Sequence, residues 1–443
     1  MIKFIKSIYL SKRLFQIGGG IIAAFVASYF FPILLPMVQI ALGVLGGLVV
    51  LDILMLYRSN GLTATRITPE RLSNGDQNEI ELSLENRYPF ATSLEVIDEI
   101  PIQFQLRDLQ FNFGLEARSQ RNVKYLLRPT ERGEYHFGAL NIFAFSPFEL
   151  IKRRYTFDDK DMVPTYPSFV QMRQYELMAI SNRLSEIGIK KVRRLGHTSE
   201  FEQIKEYVRG DDYRTVNWKA TSRSGRLMVN QYTDEKAQNV FCLIDKSRVM
   251  KMPFEGMTLL DYAINSALVI SNIAIKKHDK AGLITFSEKI NTLLPPDNRP
   301  THSHLIMNAL YNQTTQFLEA DYEKLYITIK RKINQRSLLI LFTNFESIAA
   351  LKRQMAYFKG IAKQHLLLVI FFENTELRAL TQSRPYSTEE IYLKAIGENF
   401  LFEKKQIVRE LEINGILTVF TSPQNLTVSV INKYLELKAR GLI

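Results

Sequence analysis

Val240-Phe241-Cys242-Leu243-Ile244 is an unbroken apolar run that ends on Asp245-Lys246-Ser247-Arg248-Val249. Five consecutive apolar residues without alternation describe a strand covered on both faces, as parallel sheets require. Residues 259–277 then place Leu260, Ile264, Ala267, Leu268 and Ile275 at helical spacing. Strand-like runs recur at 281–286, 338–342, 366–372 and 417–421. Helical stretches near 302–313, 321–334, 347–364, 388–413 and 425–440 separate them. This alternation predicts an open, mostly parallel α/β sheet with helices on both faces over residues 238–443.

The opposite end of the chain is apolar in another way. Between Arg13 and Asp52 lie 38 residues without a charged side chain. A hydrocarbon core of about 30 Å needs roughly 20 helical residues, so the stretch holds two transmembrane spans, near 14–33 and 37–56, with Pro32 and Pro36 at the turn. Lys3, Lys6, Lys12 and Arg13 precede the first span, and Arg58, Arg66 and Arg71 follow the second. Positive flanks stay inside, so both ends of the hairpin and everything after it are expected on the cytoplasmic side of the cytoplasmic membrane. Asp52 is read as reaching the interface against the neighbouring helix.

From about 64 to 157 the pattern has period two, as in Ile80-Glu81-Leu82-Ser83-Leu84, punctuated by Asn74-Gly75, Tyr88-Pro89, Arg132-Gly133 and Ser146-Pro147. Short alternating strands at this spacing predict a small antiparallel, Ig-like β-sandwich. The expected division is 1–57 for the N-terminal segment and two transmembrane helices, 58–157 for the sandwich, 158–237 for a linker bracing the domains, and 238–443 for the α/β domain.

Composition excludes several classes. The chain has 443 residues, 46% hydrophobic and 23% charged, enough for about three folding units. A single cysteine, Cys242, excludes an internal disulfide and a multi-cysteine metal site. In an apolar strand it reads as an inert buried thiol. The net charge of +12 is spread thinly, with one dense cluster at Lys190, Lys191, Arg193 and Arg194. No aromatic-interleaved basic motif accompanies it, so nucleic acid is not an expected partner. No Gly-Lys-Ser/Thr phosphate loop is present. His302 and His304 read as loop polars.

Residues 196–230 are polar, rich in both charges and punctuated by glycine. Their Glu200, Phe201, Tyr207, Gly210, Asp211, Asp212, Arg214, Trp218, Ala220, Arg223 and Leu227 closely resemble the signature of the bacterial family called domain of unknown function 58. Arg132-Gly133-Glu134-Tyr135, Ser146-Pro147-Phe148 and the N-terminal hairpin extend the resemblance over most of the chain. It implies a membrane-anchored protein with a divergent von Willebrand factor A-like (Rossmann-type) domain. It also implies association with a MoxR-type AAA+ ATPase and an unknown client protein, with no established enzymatic activity.

Two sites are weighed on the residues themselves. Asp211 and Asp212 are adjacent, whereas an acid/base pair needs two carboxylates facing one substrate about 5–10 Å apart. With Arg209, Arg214, Lys219, Arg223 and Arg226 close by, the segment reads as a bracing network anchored by Trp218. Hydrolase chemistry is the lesser alternative. The second site is the metal centre that the von Willebrand A resemblance implies at the strand ends. Asp245 and Ser247 fit its first motif, but Val249 replaces the second serine and Asn344 stands where a carboxylate belongs. Thr301 is the candidate for the threonine loop. Magnesium favours octahedral oxygen ligands with carboxylate charge. This set therefore reads as degenerate, with no cofactor expected, and metal-dependent ligand binding is the other alternative.

Overall fold

The computed structural model describes residues 4, 6–106, 109–158, 161–180, 200–208, 211–233, 237–315, 318–382, 385 and 387–442, with the backbone alone at 178–180, 200–202 and 231–233. The chain is a mixed α/β protein of two compact units, Met1–Tyr166 and Pro167–Ile443.

The first unit starts with strand β1 (Ile8–Leu10), helix α1 (Lys12–Ser28), a 3₁₀ turn at Pro32–Leu34 and helix α2 (Leu35–Tyr57). Ser11 caps α1 by accepting from the Leu14 amide at 3.3 Å. Proline fixes the break between the helices, because Pro32 cannot donate to a continuing helical ladder. Among the described residues two helices are long and apolar enough to cross a membrane, Pro32–Tyr57 and the less apolar Leu259–Lys276. Burial separates them: the first is almost wholly uncovered by protein, whereas the second is largely buried. Phe15, Ile22 and Val26 of α1 and Met37, Ile40 and Leu54 of α2 stand exposed. At its far end α2 is packed: Leu56 joins Tyr88, Leu150 and Ile151 in a small core, and buried Asp52 accepts the Leu150 amide at 3.1 Å.

Ten strands follow: β2 (Leu62–Ile67), β3 (Leu72–Ser73), β4 (Asn78–Asn86), β5 (Thr92–Asp98), β6 (Gln110–Leu115), β7 (Gln120–Leu127), β8 (Gly133–His136), β9 (Leu140–Phe145), β10 (Ile151–Phe157) and β11 (Met162–Tyr166). They form sheets β1-β10-β9-β5-β6, β2-β4-β7 and β3-β11-β8. The period-two reading holds residue by residue in β4, where Ile80, Leu82 and Leu84 are buried and the intervening side chains are not. Those leucines meet Leu94, Val96 and Ile142 of the five-stranded sheet in one core, the packing of a sandwich. Inside it Arg66 pairs with Asp98, both side chains without solvent exposure, and the Tyr125 hydroxyl donates to the same carboxylate.

Three expectations change here. The sandwich runs past 157, because β11 pairs with β8 in register Met162↔His136. It also recruits Ile8–Leu10, which pairs with β10 ahead of the first apolar helix. Arg66, read as a charge flanking the membrane, is instead neutralised inside the sandwich.

The second unit begins with helix α3 (Phe169–Ile180) and strand β12 (Glu200–Glu206), followed by helix α4 (Trp218–Ser224) and strand β13 (Met228–Thr233). The α/β part follows: β14 (Asn239–Asp245), a minimal hairpin β15 (Pro253–Phe254) and β16 (Met257–Thr258), α5 (Leu259–Lys276), β17 (Lys280–Phe286) and β18 (Ile290–Asp297). Then come α6 (His302–Tyr311), α7 (Tyr322–Lys332), β19 (Leu338–Phe342), α8 (Ile348–Ala362) and β20 (Leu366–Phe372). Helices α9 (Thr375–Gln382) and α10 (Thr388–Ile413), strand β21 (Leu417–Thr421) and α11 (Leu426–Ala439) complete it.

The sheet order is β18-β17-β14-β19-β20-β21, which in strand sequence is 3-2-1-4-5-6. All neighbours are parallel except β17 and β18. The edge strand β18 carries Pro295 and Pro296, which sequence reading demotes and which an edge tolerates. Helix α5 is apolar nearly all round because the sheet and its neighbours bury 16 of its 18 residues. The 158–237 segment is not one linker. Its first part is β11 of the first unit. Helix α3 belongs to the second unit, where Ser168 N donates to Asn265 Oδ1 at 2.9 Å and Glu176 pairs with Lys276 at 2.7 Å.

Candidate functional site

In an open α/β sheet, ligands bind beyond the carboxyl ends of the strands, at the point where strand order reverses. Here that point lies between β14 and β19. Asp245 ends β14, and Thr343 and Asn344 follow β19. Asp245 is fully buried. Its Oδ1 accepts the Ser247 amide at 2.8 Å, and its Oδ2 accepts the Thr343 hydroxyl at 2.7 Å and the Tyr322 hydroxyl at 3.0 Å. The Tyr322 and Thr343 oxygens are themselves 2.7 Å apart. Burial pushes the Asp245 carboxyl up, against the hydrogen bonds from Ser247, Thr343 and Tyr322 that favour its ionised form. Burial and the neighbouring carboxylate push the Tyr322 phenol up as well.

Asn344 turns its amide oxygen to the Lys404 ammonium of α10 at 2.8 Å, and Lys404 also donates to the Phe345 carbonyl. A pocket of 90 Å³ opens over this cluster, lined by Ser247, Arg248, Asn344, Glu346 and Arg353 among others. Arg248 reaches Glu319 and Glu346 only at 3.8 Å each.

This donor set does not fit a divalent cation. Both Asp245 oxygens are engaged by protein donors, the Asn344 oxygen holds an ammonium, Val249 supplies no oxygen, and a guanidinium lines the same pocket. Among the described residues no group of three or more His, Cys, Asp or Glu is placed to hold a metal. Thr301 stands elsewhere. It precedes α6, whose His302 bonds the Ala281 carbonyl at 2.8 Å near the amino end of β17. Ala281 pairs with Val240, five residues or about 16 Å from Asp245 along the strand. His302 is buried rather than a loop polar. Tyr322, Thr343 and Lys404 are what the sequence reading missed. A tyrosine one residue past the Asp321 helix cap was the signal available for the first of them.

The signature segment is an antiparallel hairpin, β12 paired with β13 from Glu200↔Thr233 to Glu206↔Met228. Asp211 accepts Lys205 Nζ at 2.9 Å and the Val208 amide at 3.0 Å, and those bonds hold its carboxyl below its ordinary value. Asp212 caps the next turn by accepting the Arg214 amide at 3.0 Å. Each acid is thus used locally, on partners of its own. Tyr207 donates its amide to the Leu227 carbonyl at 2.8 Å, tying the hairpin across. Trp218 opens α4 with 72% of its surface exposed, so it is not the buried anchor expected of it. Arg214 lies over the Tyr213 ring at 5.7 Å, and Arg223 is exposed on the last turn of α4. Gly210, the cluster at Lys190, Lys191, Arg193 and Arg194, and the side chains of Glu200 and Phe201 fall outside the described residues. Cys242 is fully buried, with its thiol pushed up to about 12 by that burial.

Residues 203–379 match the family model described as protein of unknown function DUF58. The DUF58-matching stretch begins inside β12, takes in the rest of the signature hairpin and the Asp245 cluster, and stops within α9, short of the Lys404 helix. The uncharacterized protein YeaD of Bacillus subtilis is 26% identical over 246 residues, 53% of this chain and 56% of that protein. This chain therefore spans little more than half the length of the curated relative that it matches. Two solved structures overlap about a quarter of the chain each. They are the ASH/PapD-like domain of human CEP192 (16% identity, 25% of this chain and 88% of that one, TM-score 0.20) and a CARDB domain from Pyrococcus furiosus (15% identity, 24% and 94%, TM-score 0.17). Likeness at those scores carries no argument.

Proposed function

We propose that the protein is a membrane-anchored, non-enzymatic adaptor that works with a MoxR-type AAA+ ATPase on an unidentified client. Its von Willebrand A-like domain docks protein partners on the crevice at the strand ends. The observation that carries this reading is the Asp245 cluster. It sits at the switch point of a 3-2-1-4-5-6 sheet, yet its polar groups are tied to one another, leaving neither an acid/base pair nor a set of open metal ligands. The DUF58 match over 203–379 and the lipid-like exposure of α1 and α2 support the same reading. In it both apolar helices span the cytoplasmic membrane, and the sandwich and α/β units face the cytoplasm. The pairing of Ile8–Leu10 with β10 puts the start of α1 and the end of α2 beside the same sandwich, as a hairpin requires.

Purification from gently solubilised native membranes tests the proposal. An AAA+ ATPase recovered in stoichiometric amount supports it. A chain recovered alone, under conditions that keep a known membrane complex intact, overturns it.

A further inference from the structure

A second pocket, of 280 Å³, adjoins the Asp245 cluster on the far side of Asn344. Its walls are apolar, built by Phe254 and Leu259 from the segment after β14, Phe372 at the end of β20, Leu377 of α9, and Phe400 and Leu401 of α10. It lies beyond the carboxyl ends of β14, β19, β20 and β21, where sheets of this order take their ligands. The charge within it is uneven. Glu373 is paired with Arg378 at 3.3 Å, and Glu346 faces Arg248 at 3.8 Å. Lys404, in contrast, donates to two neutral oxygens, those of Asn344 and Phe345. An ammonium has three donors, so one remains. Among the described residues no carboxylate comes within ion-pair distance of Lys404. Burial pulls its amine down to about 8, even with Glu346 and Glu403 acting the other way, so an arriving carboxylate would find a cation that gains from being paired.

We propose that this pocket captures the C-terminal residue of a partner polypeptide, with its apolar side chain against the phenylalanine and leucine walls and its α-carboxylate on Lys404. Size favours a single residue. The pocket lies just below the roughly 300–1,000 Å³ of sites that enclose whole ligands. A C-terminal residue carries both required groups on one Cα, and capture of a terminal carboxylate is a recurrent mode of peptide recognition. Phe400, Leu401 and Lys404 come from α10, outside the DUF58-matching residues.

The inference rests on the partner-docking reading, and its test separates the two. The full chain in detergent is titrated calorimetrically with acetyl-glycyl-glycyl-phenylalanine, as the free acid and as the C-terminal amide. The acid is expected to bind at least about tenfold tighter, the scale of one charge-assisted hydrogen bond. Lys404→Met removes that preference, and Leu377→Trp, which enlarges a half-buried side chain of the pocket wall, abolishes binding of both. Melting temperatures close to the parent's show that the variants fold. Equal binding of acid and amide, no saturation at several millimolar, or unimpaired binding by Leu377→Trp overturns the pocket's assignment. If the parent chain retains the ATPase while the titration fails, the adaptor reading stands without this pocket. If the parent chain retains no ATPase, the adaptor reading falls whatever the peptide does.

Discussion

The Thr343 hydroxyl donates to Asp245 Oδ2 at 2.7 Å and so ties the end of β19 to the end of β14 inside a fully buried cluster. Removing the acceptor takes the partner from the Ser247 amide and from the Thr343 and Tyr322 hydroxyls, of which only one can then donate to the other. Asp245→Ala is expected to cost the second unit about 3 kcal/mol or more, and Thr343→Val about 1–2 kcal/mol. The double variant costs less than the sum, because both changes break one network. Urea unfolding followed by a probe in the α/β unit reads all three values, and strict additivity would contradict a shared network.

Magnesium gives a second check. A ligand that binds the native state stabilises it by RT ln(1 + [L]/Kd), so a functional site raises the melting temperature as the ion is added. With Asp245 saturated and Asn344 holding Lys404, the melting curve is expected to stay flat across millimolar magnesium and to be unmoved by a chelator. A rise of several degrees would restore the metal-receptor alternative.

In the sandwich, Arg66 and Asp98 form a buried pair with Tyr125 as third member. Breaking such a pair from one side leaves an uncompensated buried charge, worth about 3–5 kcal/mol. Arg66→Met should therefore unfold the first unit at a markedly lower denaturant concentration. Arg71→Met, at the neighbouring position once read as membrane-flanking, should not.

His365 is 5% exposed just before β20, and burial holds its imidazole below the usual histidine range. Neither ring nitrogen has a hydrogen-bond partner among the described residues. The sign follows from linkage. The unfolded chain binds this proton near pH 6.5 and the folded one only at lower pH, so the contribution is complete above about 6.5 and is lost as pH falls below it. Stability of the α/β unit measured between pH 8 and 5 should decline on acidification, and His365→Leu should flatten that decline. An unchanged slope in the variant would assign the acid sensitivity to other groups.

What was legible in the sequence follows from the strength of each physical signal. The strands at 338–342, 366–372 and 417–421 and the helix at 388–413 lie where periodicity put them, because buried parallel strands and long amphipathic helices leave unambiguous patterns. Residues 290–297 were missed because an edge strand needs little apolar character and Pro295-Pro296 argues against one. Thr301 was a candidate only through the von Willebrand A resemblance, and a resemblance of motifs cannot tell which end of the sheet a loop lies at once a strand runs antiparallel. Trp218, read as the apolar anchor of the bracing segment, opens a seven-residue helix and stands exposed. Lys404 was invisible as a site residue, since 60 positions of chain separate it from Asn344 and only the folded helix brings them together.

Crosslinking mass spectrometry on complexes taken from native membranes tests the adaptor account most directly. The account predicts an AAA+ ATPase among the partners, linked to lysines of the strand-end face such as exposed Lys251, which ends the turn that Ser247 begins. Links confined to the sandwich, or no ATPase at all from membranes in which a control complex survives, would contradict it.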